Sequence, residues 1–292
     1  MEGILQSVCS GFLMGGVYGS VAAGLAIIYG VMRIINFAHG ELVTIGMFVA
    51  FWCSSLLGFD PYISMLPAGI ILFGFGYLIQ KALINPALKR TTEREPLTLL
   101  LITAGISMIL INVGVLIWSD YPKMIRTSYS LSSIGIGTLR FPVTRIIAFG
   151  VSMVLIGGLY LTLLRTEVGR RMRAASQDRE AAKLMGINEE HVYCLAFGVG
   201  AAIAGMAGVL LSTIFFIKPS AGEIFVMRSF IIVVLGGMGS IPGALVGGII
   251  VGLIESVGSQ FMNPVYAEML VFILFIFTLL IRPSGLLGRE EV

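Results

Sequence analysis

The chain has 292 residues, of which 57% are hydrophobic and only 12% charged, and its mean hydropathy is +0.97. A water-soluble domain carries about a quarter charged residues, so a globule coated in polar groups is excluded and a protein solvated by lipid is indicated. The formal net charge of +3 is small enough to reside in cytoplasmic loops and gives no ground for a nucleic-acid partner.

Met1 and Glu2 stand where a secretory signal would be basic, so the first apolar segment is expected to be retained. A hydrocarbon layer about 30 Å thick takes roughly 20 apolar residues as helix, because every backbone polar group must be satisfied within the segment. Stretches without Asp, Glu, Lys or Arg cover residues 3–32, 42–59, 61–80, 96–119, 146–164, 192–217 and 229–254. Residues 265–281 add another, with Glu268 near its start after the turn signal Asn263-Pro264. The expected fold is an all-α, polytopic transmembrane helix bundle of about eight spans, forming one domain over residues 1–292.

The most charged connection is 165–191, with Arg165, Arg170, Arg171, Arg173, Arg179 and Lys183. Retention of positive charge on the cytoplasmic side places it inside. The loop 85–95, with Lys89, Arg90 and Arg94, then lies inside as well, Gly58 to Asp60 outside, and the N-terminus outside. Residues 119–143 carry Lys123, Arg126 and Arg140 against this scheme and are read as a small external cap.

Two apolar regions are broken or re-entrant, at residues 35–41 (INFAHGE) and 236–243 (GGMGSIPG). Irregular backbone at membrane depth is tolerated where it is buried in protein or lines a wet cavity, and paired interruptions point to a transport site. Asn36, His39, Glu41, Gly237, Gly239 and Gly243 are therefore the candidate translocation-path residues. For the first three, an ordinary cytoplasmic turn is the competing reading, since Arg33 precedes them. If the second interruption is a re-entrant hairpin, the tail with Arg282 and Arg289 falls inside; if it is a simple crossing, outside. Gly11, Gly15 and Gly19, and Gly243, Gly247, Gly248 and Gly252, read as close packing of helix backbones.

No catalytic residue, metal site or cofactor is expected. Cys9, Cys53 and Cys194 lack paired spacing, and His39-Gly40-Glu41 lacks the second histidine four residues on that a zinc protease helix needs. Gly237-Met238-Gly239-Ser240 has neither the strand and helix of a dinucleotide site nor a base for a serine nucleophile.

Within 165–191, Asp178 is a good N-cap, Glu180 suits the positive end of a helix dipole, Lys183 the other end, and Gly186 a left-handed stop. Ala181 and Met185 share a face with Leu184 beside them, an apolar knob for a groove on another protein or for the chain's own bundle.

Glu180-Ala181-Ala182, three residues and then Gly186 resemble the EAA loop of ABC-importer permeases, although the Ile-x-Leu-Pro that often follows is missing. GLAIIYGVMRIINFAHGELVTIG, GRRMRAASQDREAAKLMGI and LGGMGSIPGALVGG extend this to a resemblance to LivH-type permeases of branched-chain amino acid importers, spanning Gly11 to Gly288 in order. The resemblance implies a bacterial inner-membrane subunit without enzymatic activity of its own. It also implies that Asp178, Glu180, Ala181, Ala182, Leu184, Met185 and Gly186 form a coupling helix against an ATPase. Its implied partners are a related LivM-type permease, two ATPase subunits that bind the ATP, and a periplasmic or lipid-anchored substrate-binding protein. No phosphate-binding GxxxxGK[ST] loop occurs in the chain itself. Related permeases move urea, short amides or other amino acids, and an ion-coupled secondary transporter is the alternative class; such a carrier would need buried carboxylates, for which Glu41, Glu255 and Glu268 are the candidates.

Overall fold

The computed structural model describes residues 2–90 and 96–288; Met1, Arg94 and Arg289, named above, lie outside them. Helix α1 (Glu2–Met32) is followed by an irregular segment and α2 (His39–Leu57). A short turn leads into α3 (Met65–Ile79), which continues through a π-helical turn (Gln80–Ile84) into α4 (Asn85–Arg90). Then come α5 (Pro96–Trp118), a two-stranded antiparallel hairpin of β1 (Ser133–Ile136) and β2 (Leu139–Pro142), and α6 (Val143–Arg165). The amphipathic α7 (Glu167–Gln177) and the short α8 (Arg179–Leu184) precede α9 (Glu189–Ser212), α10 (Gly222–Gly236), α11 (Ile241–Phe261) and α12 (Pro264–Ile281).

The all-α bundle is as expected, but nine helices rather than eight among the described residues are long and apolar enough to cross a membrane. The difference lies in residues 229–254, one apolar stretch in sequence and two antiparallel helices in space. Gly237 and Gly239 adopt positive φ (108° and 84°), a region open to glycine, and stop α10. Ser240 then caps α11 by accepting from the Gly243 N–H at 3.1 Å, and Pro242 occupies the first turn, where no N–H is needed.

The core is built on α1 and α9, both largely buried. The glycine rows close the contact of α1 with α11: a Cβ on Gly15 would stand 2.5 Å from Ile249 Cα, and one on Gly11 2.6 Å from the Gly252 carbonyl oxygen. Lipid supplies no hydrophobic drive between helices, so this close backbone contact is itself the source of cohesion.

One end of the bundle gathers α8, the end of α1, the α10–α11 turn and the C-terminal segment. Arg179 Nη2 donates to the Met32 carbonyl at 3.1 Å, Gly239 packs on Gly30, and Leu286 and Leu287 donate to Leu235 and Gly236, each at 2.9 Å. The opposite end holds the Gln6 side chain against Arg140, the Lys123 to Ile217 bridge, and Tyr129, whose hydroxyl donates to Asp60 at 2.6 Å. Burial, then this carboxylate, holds the Tyr129 phenol above the usual tyrosine range. Charge assigns the first end to the cytoplasm; the C-terminal segment therefore ends inside, by way of two antiparallel helices. The external cap read at 119–143 contains the β-hairpin, whose register (Ser133 opposite Pro142, Ile136 opposite Leu139) turns at Gly137 with φ 64°.

A cysteine placed at Asn188, exposed at the start of α9, is expected to resist impermeant thiol reagents applied to intact cells and to react after permeabilisation. Labelling from outside would invert the orientation of every helix.

Candidate functional site

The charged segment folds as a platform with a projecting tip. Thr166 caps α7 through its hydroxyl, which accepts from the Gly169 N–H at 3.1 Å, and Met172 and Ala175 seat the helix on the bundle. Asp178 caps α8, its Oδ1 accepting from the Ala181 N–H at 3.0 Å, a device that contributes about 1 kcal/mol. Gly186, with φ 80°, ends it, and the N–H groups of Gly186 and Ile187 close the turn on Lys183 and Ala182, each at 3.0 Å. Ala182 faces inward and Arg179 lies over the Tyr193 ring, whereas Ala181 and Glu180 are exposed and Leu184 and Met185 are 88% and 82% exposed. Among the described residues, nothing in the bundle covers the knob.

The first interruption is buried, which does not fit a solvated cytoplasmic turn: Asn36 and His39 are 0% exposed and Glu41 is 3% exposed. Its backbone is sewn to α5 by Thr103, whose hydroxyl donates to the Ile35 carbonyl at 3.2 Å and accepts from the Phe37 N–H at 3.3 Å. Asn36 Oδ1 accepts from the Ala38 N–H at 3.1 Å, the local turn that starts α2. His39 Nε2 donates to the Val21 carbonyl at 2.9 Å, and Glu41 Oε1 accepts from the Ser107 hydroxyl at 3.2 Å. Among the described residues, Asn36 Nδ2 and His39 Nδ1 have no hydrogen-bond partner.

The glycines of the second interruption meet backbone instead: Gly243 faces Gly236, Gly239 faces Gly30 and Gly237 faces Gly288. They do not join the Asn36, His39 and Glu41 group directly. The two interruptions approach each other through Ile35 and Met238, which with Leu25, Tyr29 and Phe230 line one apolar cleft.

An ion-pair cluster inside the spans went unread in the sequence. Arg228 on α10 donates to Glu255 on α11 at 2.6 Å and to the Tyr18 hydroxyl on α1 at 2.9 Å, and lies 3.8 Å from Glu268 on α12. The signal in the sequence is the pair of charges bounding the stretch 229–254, which are partners across a hairpin. Removing one member of a desolvated pair leaves the other uncompensated. Arg228→Met is expected to destabilise the purified protein by about 3 kcal/mol, and Arg228→Met with Glu255→Gln to regain most of that. Thermal unfolding in detergent reads both; equal loss in the single and double variants would show that the cluster contributes packing and not charge.

The chain matches, over residues 7–279, the family described as branched-chain amino acid transport system / permease component. It is 34% identical over 301 residues to the high-affinity branched-chain amino acid transport system permease protein BraD of Pseudomonas aeruginosa, covering 99% of this chain and 97% of that one. The LivH permease protein of Escherichia coli is 32% identical over 301 residues (99% and 96%), and a probable LivH of Methanocaldococcus jannaschii 31% over 285 residues (92% and 88%). No solved structure matches the chain significantly. With nine apolar helices among the described residues and relatives that align over nearly its whole length, the chain is a multi-pass inner-membrane protein and belongs to the branched-chain amino acid transport system permease family.

Proposed function

We propose that the chain is one half of the membrane channel of an ABC importer that moves leucine, isoleucine and valine inward. The carrying observation is the open apolar tip of α8: Leu184 and Met185 stand clear of the bundle on a helix that is capped, stopped and anchored at its base. A six-residue helix is unstable alone because nucleation is costly, so a tip left this exposed among the described residues is built for a groove in another chain. An ATPase subunit on the cytoplasmic face fits that role. A LivM-type permease completes the channel, two ATPase subunits bind and hydrolyse the ATP, and a periplasmic or lipid-anchored protein delivers substrate. The translocation path runs by the two interruptions, past Asn36, His39 and Glu41 and close to Gly237, Gly239 and Gly243.

The test is reconstitution. Co-expressed with a LivM-type permease and its ATPases, the chain is expected to copurify as one complex and to drive leucine uptake into proteoliposomes only with both ATP and loaded binding protein. Uptake by the chain alone on an ion gradient would replace this reading by a secondary carrier.

A further inference from the structure

The first interruption holds hydrogen-bonding capacity that the fold leaves unused, and its pattern has a chemical complement. Glu41 is 3% exposed, and no cationic side chain among the described residues pairs with it. Its carboxylate sits in a seam of three helices: α2, which carries it; α5, which supplies the Ser107 hydroxyl; and α10, where a Cβ on Gly222 would stand 2.7 Å from Oε2. The first turn of α2 gives some relief through the helix dipole, but less than a full counter-charge. A buried carboxylate without a cation is costly and marks a functional position in a membrane.

The neighbours add both kinds of open valence. Because His39 Nε2 faces a carbonyl oxygen, it carries the proton in the neutral ring, so Nδ1 presents a lone pair that no donor meets. Because Asn36 Oδ1 is committed to the Ala38 N–H, the carboxamide is fixed in orientation, and Nδ2 is left as a donor without an acceptor. Six residues thus offer acceptors at Glu41 and His39 and a donor at Asn36. An ammonium group carries three donors and a carboxylate only acceptors.

Resting on the reading of the chain as an amino-acid permease, we propose that Glu41 is the counter-charge for the α-ammonium group of the amino acid in transit. Asn36 Nδ2 is offered to its α-carboxylate. The site is closed here, since all three side chains are buried; substrate enters when the seam between α2 and α5 parts. Selection inside the membrane then acts on the zwitterion, in addition to whatever selection the delivering protein exerts.

The experiment uses the full transporter in proteoliposomes and reads leucine uptake and ATP hydrolysis stimulated by loaded binding protein. Glu41→Gln keeps an acceptor for Ser107 and removes the charge. Uptake is expected to fall at least tenfold while stimulated hydrolysis stays within twofold, and Glu41→Asp is expected to recover uptake to within about threefold of the unaltered protein. Asn36→Asp preserves the acceptor for Ala38 and sets a negative charge against the substrate carboxylate; the same loss of uptake is expected. Uptake within twofold of the unaltered protein in Glu41→Gln overturns the proposal, as does a parallel fall of uptake and hydrolysis. Should Glu41→Gln fail to assemble, Asn36→Asp decides alone, and unchanged uptake overturns the proposal. Absence of ATP-dependent uptake by the unaltered complex would instead sink the permease reading, before any variant is compared.

Discussion

Replacing Leu184 and Met185 together by Asp is expected to reduce ATP-driven uptake at least 100-fold while the permease remains at its normal level in the membrane. Both side chains are more than four-fifths exposed, and substitutions at such positions change the stability of the chain itself by about 0.5 kcal/mol or less. In a buried contact the same change places two unpaired charges, each costing several kcal/mol, where about 1.4 kcal/mol is tenfold in affinity. The ATPase subunits should therefore be lost from the complex on pull-down. Asp178→Ala removes only the cap and about 1 kcal/mol of helix stability, so it should weaken association without abolishing it. Normal uptake and pull-down with both aspartates in place would take the coupling role away from α8 and leave its tip unexplained.

What was legible in the sequence follows the range of the interactions. Asp178, Gly186 and the extent of α8 depend on contacts within a few residues, and capping and left-handed stops have strong residue preferences; those readings agree with the geometry. The glycine rows also declared themselves by spacing, because two backbones can meet only where side chains are absent on a whole helical face. Arg228 shows the opposite case. Its partners Glu255 and Tyr18 lie 27 and 210 residues away, and an arginine read without them looks like the end of a span. The break at residues 236–243 was legible in its glycines, but whether it joins one span or two helices of a hairpin is decided by the bounding charges, which face each other. The β-hairpin at 133–142 was hidden for another reason: four-residue strands outside the membrane leave no hydrophobic period to read. Burial of Asn36 and His39 was likewise invisible, because it depends on Thr103 drawing the loop against α5.

Gly239→Leu is expected to eliminate folded protein and not merely transport, and the comparison with Gly186 shows why. Both glycines have positive φ, 84° and 80°, so a side chain at either position carries the strain of the left-handed region, about 1–2 kcal/mol. They differ in what a side chain would strike. Around Gly186 no described residue lies within 4 Å of the added Cβ, whereas at Gly239 it would lie 2.9 Å from the Cα of Gly30, and the backbone of α1 cannot yield as a flexible side chain would. α1 is also pinned to α11 by Gly11, Gly15 and Gly19, so relief at Gly30 has to move a core helix of the bundle. Gly186→Ala should consequently lower the unfolding temperature by a few degrees and leave a monodisperse protein. Gly239→Ala should lower it far more, and Gly239→Leu should leave aggregate or degraded chain. Size-exclusion profiles and thermal unfolding of the three variants in one detergent measure the order. Should Gly239→Leu fold, assemble with its partners and yet fail to transport, the clash with Gly30 does not decide folding, and Gly239 borders the proposed path directly.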